Sequence, residues 1–299
     1  MMRSNKDENE KYLTITCVQN EASIEFSEPC YYSINKVDWI QISGLQSLSE
    51  GEIRYYKNEK TPTSTNGCGK FSISGYCHLS GNCMSMIYGD DADKYDHVPD
   101  YGFYKLFAEC NGIVSVDEDF LPANSVGAHA YEDIFNSCTN LITPPKLNAM
   151  VLGEQCYRGS FYGCSSIQEF SILPATELAN GCYYYMFGYC SSLKIPPILP
   201  ALEMKKQCYY SMFFACKSLE IGPDLPALVL EDSSYYQMFY NCTKIKELTM
   251  LATSIIAPYS THNWMNGVYT VGVFYKNKDA QWNKSGASGV PSTWSIIRI

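Results

Sequence analysis

The chain has 299 residues and a mass of 33.7 kDa, room for one large domain or two ordinary ones, which excludes a peptide or mini-scaffold. Lys and Arg total 22 against 31 Asp and Glu, a formal charge of -9, so no global field favours a phosphate backbone or an anionic lipid surface, and nucleic acid is not an expected partner. Charged residues are only 18% and aromatics 14%, the opposite of a disordered composition, and no apolar run approaches the ~18–20 residues of a membrane span.

In chain order, residues 1–11 (MMRSNKDENEK) read as a flexible tail without the apolar h-region of a secretory signal. Residues 12–66 alternate apolar and polar, as in Tyr12–Val18 and Val37–Ile42, between Glu, Asn and Gly turns, which predicts a small β domain. Lys57 to Gly69 (KNEKTPTSTNGCG) is the best linker or long loop. Residues 67–106 then read as the cap that opens a repeat array.

The repeat carries the argument. Phe107, Phe135, Phe161, Phe187, Phe213 and Phe239 each precede a cysteine by three residues: Cys110, Cys138, Cys164, Cys190, Cys216 and Cys242. The phenylalanine spacings are 28, 26, 26, 26 and 26. An aliphatic column follows at Ile113, Leu141, Ile167, Leu193, Leu219 and Ile245, then a Leu-Pro-Ala anchor, and a further column at Leu152, Leu178, Met204, Leu230 and Ile256. One more period reaches Met265, with Val268 in the cysteine column, the mark of a worn terminal repeat.

Within a unit, Cys182, Met186 and Cys190 stand at i, i+4, i+8, which predicts a helical turn; the stretch Ser191–Pro197 suits a strand of about four residues. The expected fold is therefore mixed β with short helices: a leucine-rich-repeat-like solenoid over 107–268, preceded by the small β domain and closed by a C-terminal cap at 269–299. Val271–Tyr275 and Trp294–Arg298 are its expected closing strands.

The Phe-x-x-Cys-x-Ser-Leu core, as in Phe187–Leu193 and Phe213–Leu219, resembles BspA-type leucine-rich repeats. The 26-residue form, with Leu-Pro-Ala and Cys-Tyr-Tyr-x-Met-Phe, looks like a subgroup found in gut Bacteroidales and their phages, including crAss-like phages. The resemblance spans roughly Gly67 to the C-terminus. It implies a fold more than a function.

Candidate chemistry is sparse. Six of the fourteen cysteines lie in one column, and Cys156, Cys182 and Cys208 share another with Ala130 and Ser234, so the position asks for a small buried side chain. Column neighbours ~4.8 Å apart with parallel Cβ vectors do not suit a disulfide, which needs Cβ atoms converging at ~3.8 Å. His78, His97, His129 and His262 are scattered, so no metal or other cofactor is expected. The acidic stretch Asp90–Asp100 lacks the Gly and Glu of an EF-hand, and both a solvated loop and a calcium site stay open for it.

Tyrosine is the remaining feature. Tyr131, Tyr157, Tyr183, Tyr209 and Tyr235 form one column, expected in the core. Tyr184, Tyr210 and Tyr236 form a second, replaced by Glu132 and Arg158 earlier in the array, which predicts partial exposure. With Tyr185 they make the candidate binding site, with Tyr189 and Tyr240 nearby, a tyrosine patch suited to sugar stacking or protein contact. No nucleophile–base pair is present, so the expected function is non-enzymatic. A phage virion component, a tail or head-fibre-like adhesin or assembly protein, leads; a bacterial cell-surface adhesin is the alternative. Other virion proteins, or a host surface glycan or protein, are the expected partners, with self-association left open.

Overall fold

The computed structural model describes residues 11–42 and 44–299, so the tail expected over 1–11 lies, except for Lys11, outside the described residues. The first strand, β1 (Leu13–Phe26), buries Leu13, Ile15 and Cys17 and then Ala22, Ile24 and Phe26. A register shift between Cys17 and Ser23 resets the alternation, so both halves of one long strand face the same core. Around it stand β2 (Tyr31–Ser33), β3 (Ile40–Gln41), β4 (Gln46–Ser49), β5 (Ile53–Lys57) and β6 (Phe71–Ser80). β5 pairs with the first half of β1 and β4 with the second, while β6 runs antiparallel along nearly all of it.

The sheet continues past the boundary near residue 66. β6 pairs in parallel with β8 (Ile113–Val116) of the first coil, giving the order β3-β2-β5-β1-β6-β8. Between them lie the short helix α1 (Ser85–Tyr88), a 3-10 turn Gly89–Lys94 and β7 (His97–Val98). β7, β9 (Ser125–Val126) and β10 (Val151–Leu152) form a second, parallel ladder. Further along, pairing between coils shrinks to single parallel bridges such as Glu169 with Ile195 and Ile172 with Ile198. One hydrophobic cluster runs from Leu13 to Trp294. The molecule is a repeat β-solenoid grown on the edge of a β-sheet, mostly β with very little helix.

The helices lie before the array, not in its units. The segment predicted as a helical turn, around Cys182–Cys190, is a run of linked turns whose even-numbered N–H groups bond three residues back, as Tyr184 N to Gly181 O at 3.0 Å and Gly188 N to Tyr185 O at 3.0 Å. The odd-numbered N–H groups leave the coil: Tyr183, Tyr185, Phe187 and Tyr189 donate to Cys208, Tyr210, Met212 and Phe214 of the next one at 2.7–3.0 Å. A helix satisfies its donors internally; here half of them join coils.

This path needs a left-handed residue every fourth position. Gly181, Tyr185 and Tyr189 have φ of 60°, 54° and 61°, and the same slots in the preceding coil hold Gln155, Gly159 and Gly163. Glycine at 159 and 163 takes that conformation without the Cβ clash that costs other residues ~1–2 kcal/mol.

One column departs from the expected register. Ile256 is 93% exposed, and Ile255 packs on the core instead. The bridges explain it: Ile221 pairs with Glu247, 26 residues on, but Leu225 with Met250 and Val229 with Ser254, 25 on, so one residue has been lost from that coil.

The array closes with a parallel sheet of β11 (Glu247–Met250), β12 (Val273–Lys276) and β13 (Ser295–Arg298). Trp264, Trp282 and Trp294 cap the core, and each indole N–H reaches a carbonyl, of Gly289, Ala252 and Tyr269, at 2.7–2.8 Å. A buried indole without such a partner would oppose the packing it provides.

Candidate functional site

The columns place side chains by their position in the turn run. Phe107, Phe135, Phe161, Phe187, Phe213 and Phe239 are fully buried and stack in a continuous row, with centroids 5.6–5.8 Å apart and interplanar angles of 14° or less. The tyrosine column from Tyr131 to Tyr235 is buried beside it, with centroids 5.4–6.2 Å apart. All fourteen cysteines are buried and free.

The cysteine column does more than fill space. Each thiol, from Cys110 to Cys242, donates to the carbonyl of a phenylalanine: Phe71, Phe107, Phe135, Phe161, Phe187 and Phe213, at 2.9–3.1 Å. The acceptors lie 29 to 39 residues earlier, so each contact links neighbouring coils. Burial pushes the thiols of Cys110 and Cys242 up to about 12, which keeps the donor proton in place. The regular Phe-x-x-Cys spacing was the visible signal of this ladder, but its hydrogen bond could be seen only across coils.

On the outside of the same turn runs, Tyr184, Tyr185, Tyr210 and Tyr236 come together and are all half-buried. Tyr184, Tyr210 and Tyr236 stack nearly parallel, with centroids 4.4 Å apart at 8°. Arg158 covers one end of this ladder, 5.5 Å from the Tyr184 centroid, and His262 covers the other at 4.9 Å from Tyr236. Three rings stacked in this way present edges and hydroxyls to a ligand, since their faces are spent on one another and on the two end groups. Desolvation by burial pushes the Tyr184 and Tyr210 phenols up, so both stay protonated donors at neutral pH.

Tyr185 is different, and besides Tyr189 it brings in Tyr162 and Phe214, which the sequence did not single out. Its ring meets Tyr162 at 68° and Phe214 at 48°, and Tyr189 meets the same two at 65° and 44°. None of these contacts is parallel. Phe214 in turn stacks on Tyr240, 5.0 Å away at 5°. Gly188 sits between Tyr162 and Phe214 in their column, and an added Cβ would come within 2.9 Å of Tyr162 Cδ2 and 3.1 Å of Tyr185 Cδ1. The missing side chain lets those rings lean together. Tyr185 and Tyr189 also hold left-handed backbone, where a bulky residue is uncommon.

Several charged groups of these coils pair with one another. Glu132, buried, accepts from Arg158 at 2.6 Å and contacts His129, whose ring stacks on Tyr101 at 4.6 Å. Lys206 lies 3.3 Å from Asp232. Neighbouring Asp133 is raised by burial, although Asn136 donates to it at 2.8 Å. In the acidic stretch, Asp90 accepts from Tyr12 at 2.6 Å and Lys57 at 2.7 Å, and Asp100 from the Ala128 N–H at 2.7 Å. Among the described residues no three His, Cys, Asp or Glu side chains are placed to hold a metal ion, and no helix is long and apolar enough to cross a membrane.

Exposed aliphatic side chains lie elsewhere, on the bridge-forming segments: Ile172, Ile195, Ile198, Ile221 and Val229. The aromatic flank carries none of them. In comparisons with known proteins, no family model, no curated protein and no solved structure matches the chain.

Proposed function

We propose that the protein works by contact, without catalysis, as an adhesive or assembly component of a phage particle, through the aromatic flank of its solenoid. The observation that carries the contact reading is the continuity of that flank: Tyr162, Tyr184, Tyr185, Tyr189, Tyr210, Phe214, Tyr236 and Tyr240 touch in sequence across four adjacent coils. Solenoids present such extended surfaces because each coil adds one copy of every column. Tyrosine suits recognition, combining a large apolar ring with a hydroxyl at low entropic cost.

The virion assignment rests on the likeness of the repeats to BspA-type units of gut Bacteroidales and their phages, and a bacterial surface adhesin is the competing placement. Two measurements test the two levels. Binding of the purified chain to Bacteroidales cells should change little between low and high salt, because the contact surface is aromatic and the cation at its end, Arg158, is already paired with Glu132. A steep salt dependence, or binding unchanged by alanine at Tyr184, Tyr210 and Tyr236 together, would remove the flank from the function. Mass spectrometry of purified particles against bacterial outer-membrane fractions decides the placement.

A further inference from the structure

The flank contains two aromatic arrangements that differ in what they offer. The Tyr184–Tyr210–Tyr236 ladder has its ring faces closed by stacking. Tyr162, Tyr185, Tyr189 and Phe214 meet one another edge-on or tilted around the bare backbone of Gly188, so no ring within that set lies flat on another. Tyr189 is 46% exposed, the most open large apolar side chain of its turn run.

We propose that Tyr162, Tyr185, Tyr189 and Phe214 form a stacking subsite for a pyranose ring of a neutral polysaccharide, with the adjoining tyrosine ladder supplying hydroxyls along the polymer. The inference rests on the contact reading above and narrows it to one ligand class.

Three observations favour a neutral sugar. First, the surface is aromatic and hydroxyl-bearing with no exposed aliphatic side chain; those lie on the bridge-forming segments. A sugar's C–H face packs on an aromatic ring while its hydroxyls need donors and acceptors at the rim, a combination this flank provides. Second, Arg158, which covers one end of the ladder, is held by Glu132 at 2.6 Å, and Lys206 lies 3.3 Å from Asp232, so these two cations are engaged by carboxylates of the chain itself rather than by a sulfated, phosphorylated or uronic polymer. Third, the ladder column repeats over three coils as Tyr184, Tyr210 and Tyr236, so successive coils beside the subsite offer the same hydroxyl to successive units of a linear polymer.

The left-handed backbone at Tyr185 and Tyr189 provides a clean test. The same slots two coils on hold Gln237 and Asn241, at φ 49° and 58°. Tyr185→Gln with Tyr189→Asn therefore copies side chains that this backbone already accepts. A second variant, Tyr185→Gly with Tyr189→Gly, copies Gly159 and Gly163 and guards against loss of fold in the first. The full chain and both variants are titrated calorimetrically with cellohexaose, xylohexaose, mannohexaose and maltohexaose, with dextran sulfate as the anionic arm.

The expected result is binding of at least one neutral hexaose, unaffected by salt and weakened about tenfold or more in both variants, while circular dichroism stays that of the parent. Binding of dextran sulfate alone, binding of no hexaose, or equal binding by parent and variants overturns the sugar subsite. If the hexaoses fail while cell or particle binding still depends on Tyr184, Tyr210 and Tyr236, only the sugar subsite falls. If that dependence is lost as well, the contact reading falls with it.

Discussion

Replacing Phe187 by alanine tests the central claim about how the solenoid is held together. The ring is fully buried, stacks on Phe161 and Phe213 at 5.8 Å and 7° on either side, and meets Phe170 at 4.9 Å. Phe→Ala changes in cores cost ~3–5 kcal/mol, the larger values where the surroundings cannot close over the cavity. Here they cannot close: Phe161 is held by Phe135 on its far side and Phe213 by Phe239, and the backbones are pinned by coil-to-coil hydrogen bonds. A loss of about 4–5 kcal/mol is therefore expected in urea unfolding. Its distribution is the sharper test. Each coil bonds only to its neighbours, so hydrogen exchange should accelerate most between Phe161 and Phe213 and least in β1 and β6. A loss below ~2 kcal/mol, or an even loss of protection along the whole chain, would refute the nearest-neighbour account.

Cys190→Ala removes the thiol that donates to Phe161 O, and Cys190→Leu overfills the same slot, which costs ~1–3 kcal/mol; thermal melts should rank alanine as the milder change. Thiols that burial raises above their ordinary value near 9, such as Cys110 and Cys242 held up to about 12, stay protonated in the fold while the unfolded chain ionises from about pH 9. Their contribution is complete below pH 9 and is lost as pH rises towards 12, so urea midpoints should fall above pH 9; a flat profile from pH 8 to 11 would contradict it. The Glu220–Lys246 pair, at 2.7 Å, lies exposed on the surface, and Lys246→Ala should leave the melting temperature unchanged. Removing one 26-residue unit, Gly188 to Phe213, should leave a folded, shorter array, detected as a soluble species with unchanged circular dichroism per residue; insoluble product would count against independent coils.

The sequence by itself determined the period and the identity of most columns. A side chain that recurs every 26 residues meets its own copy in the next coil, so Phe187 stacking on Phe213 and Leu193 lying buried follow from spacing alone. The half-exposure of Tyr184, Tyr210 and Tyr236 was legible from Arg158 in their column, but Glu132 in the same column is buried, held by Arg158 and His129. What only the tertiary structure decided is where the backbone donors go. The spacing of Cys182, Met186 and Cys190 is the same for a helix and for four-residue turns, and glycine at 159, 163, 181 and 267 was a local cue to left-handed backbone. The choice is made by the next coil, whose carbonyls accept every second N–H. The same holds for the flank: composition placed tyrosines side by side, but whether rings lie parallel, as in Tyr184 on Tyr210, or tilted, as around Gly188, depends on contacts 23 to 27 residues away.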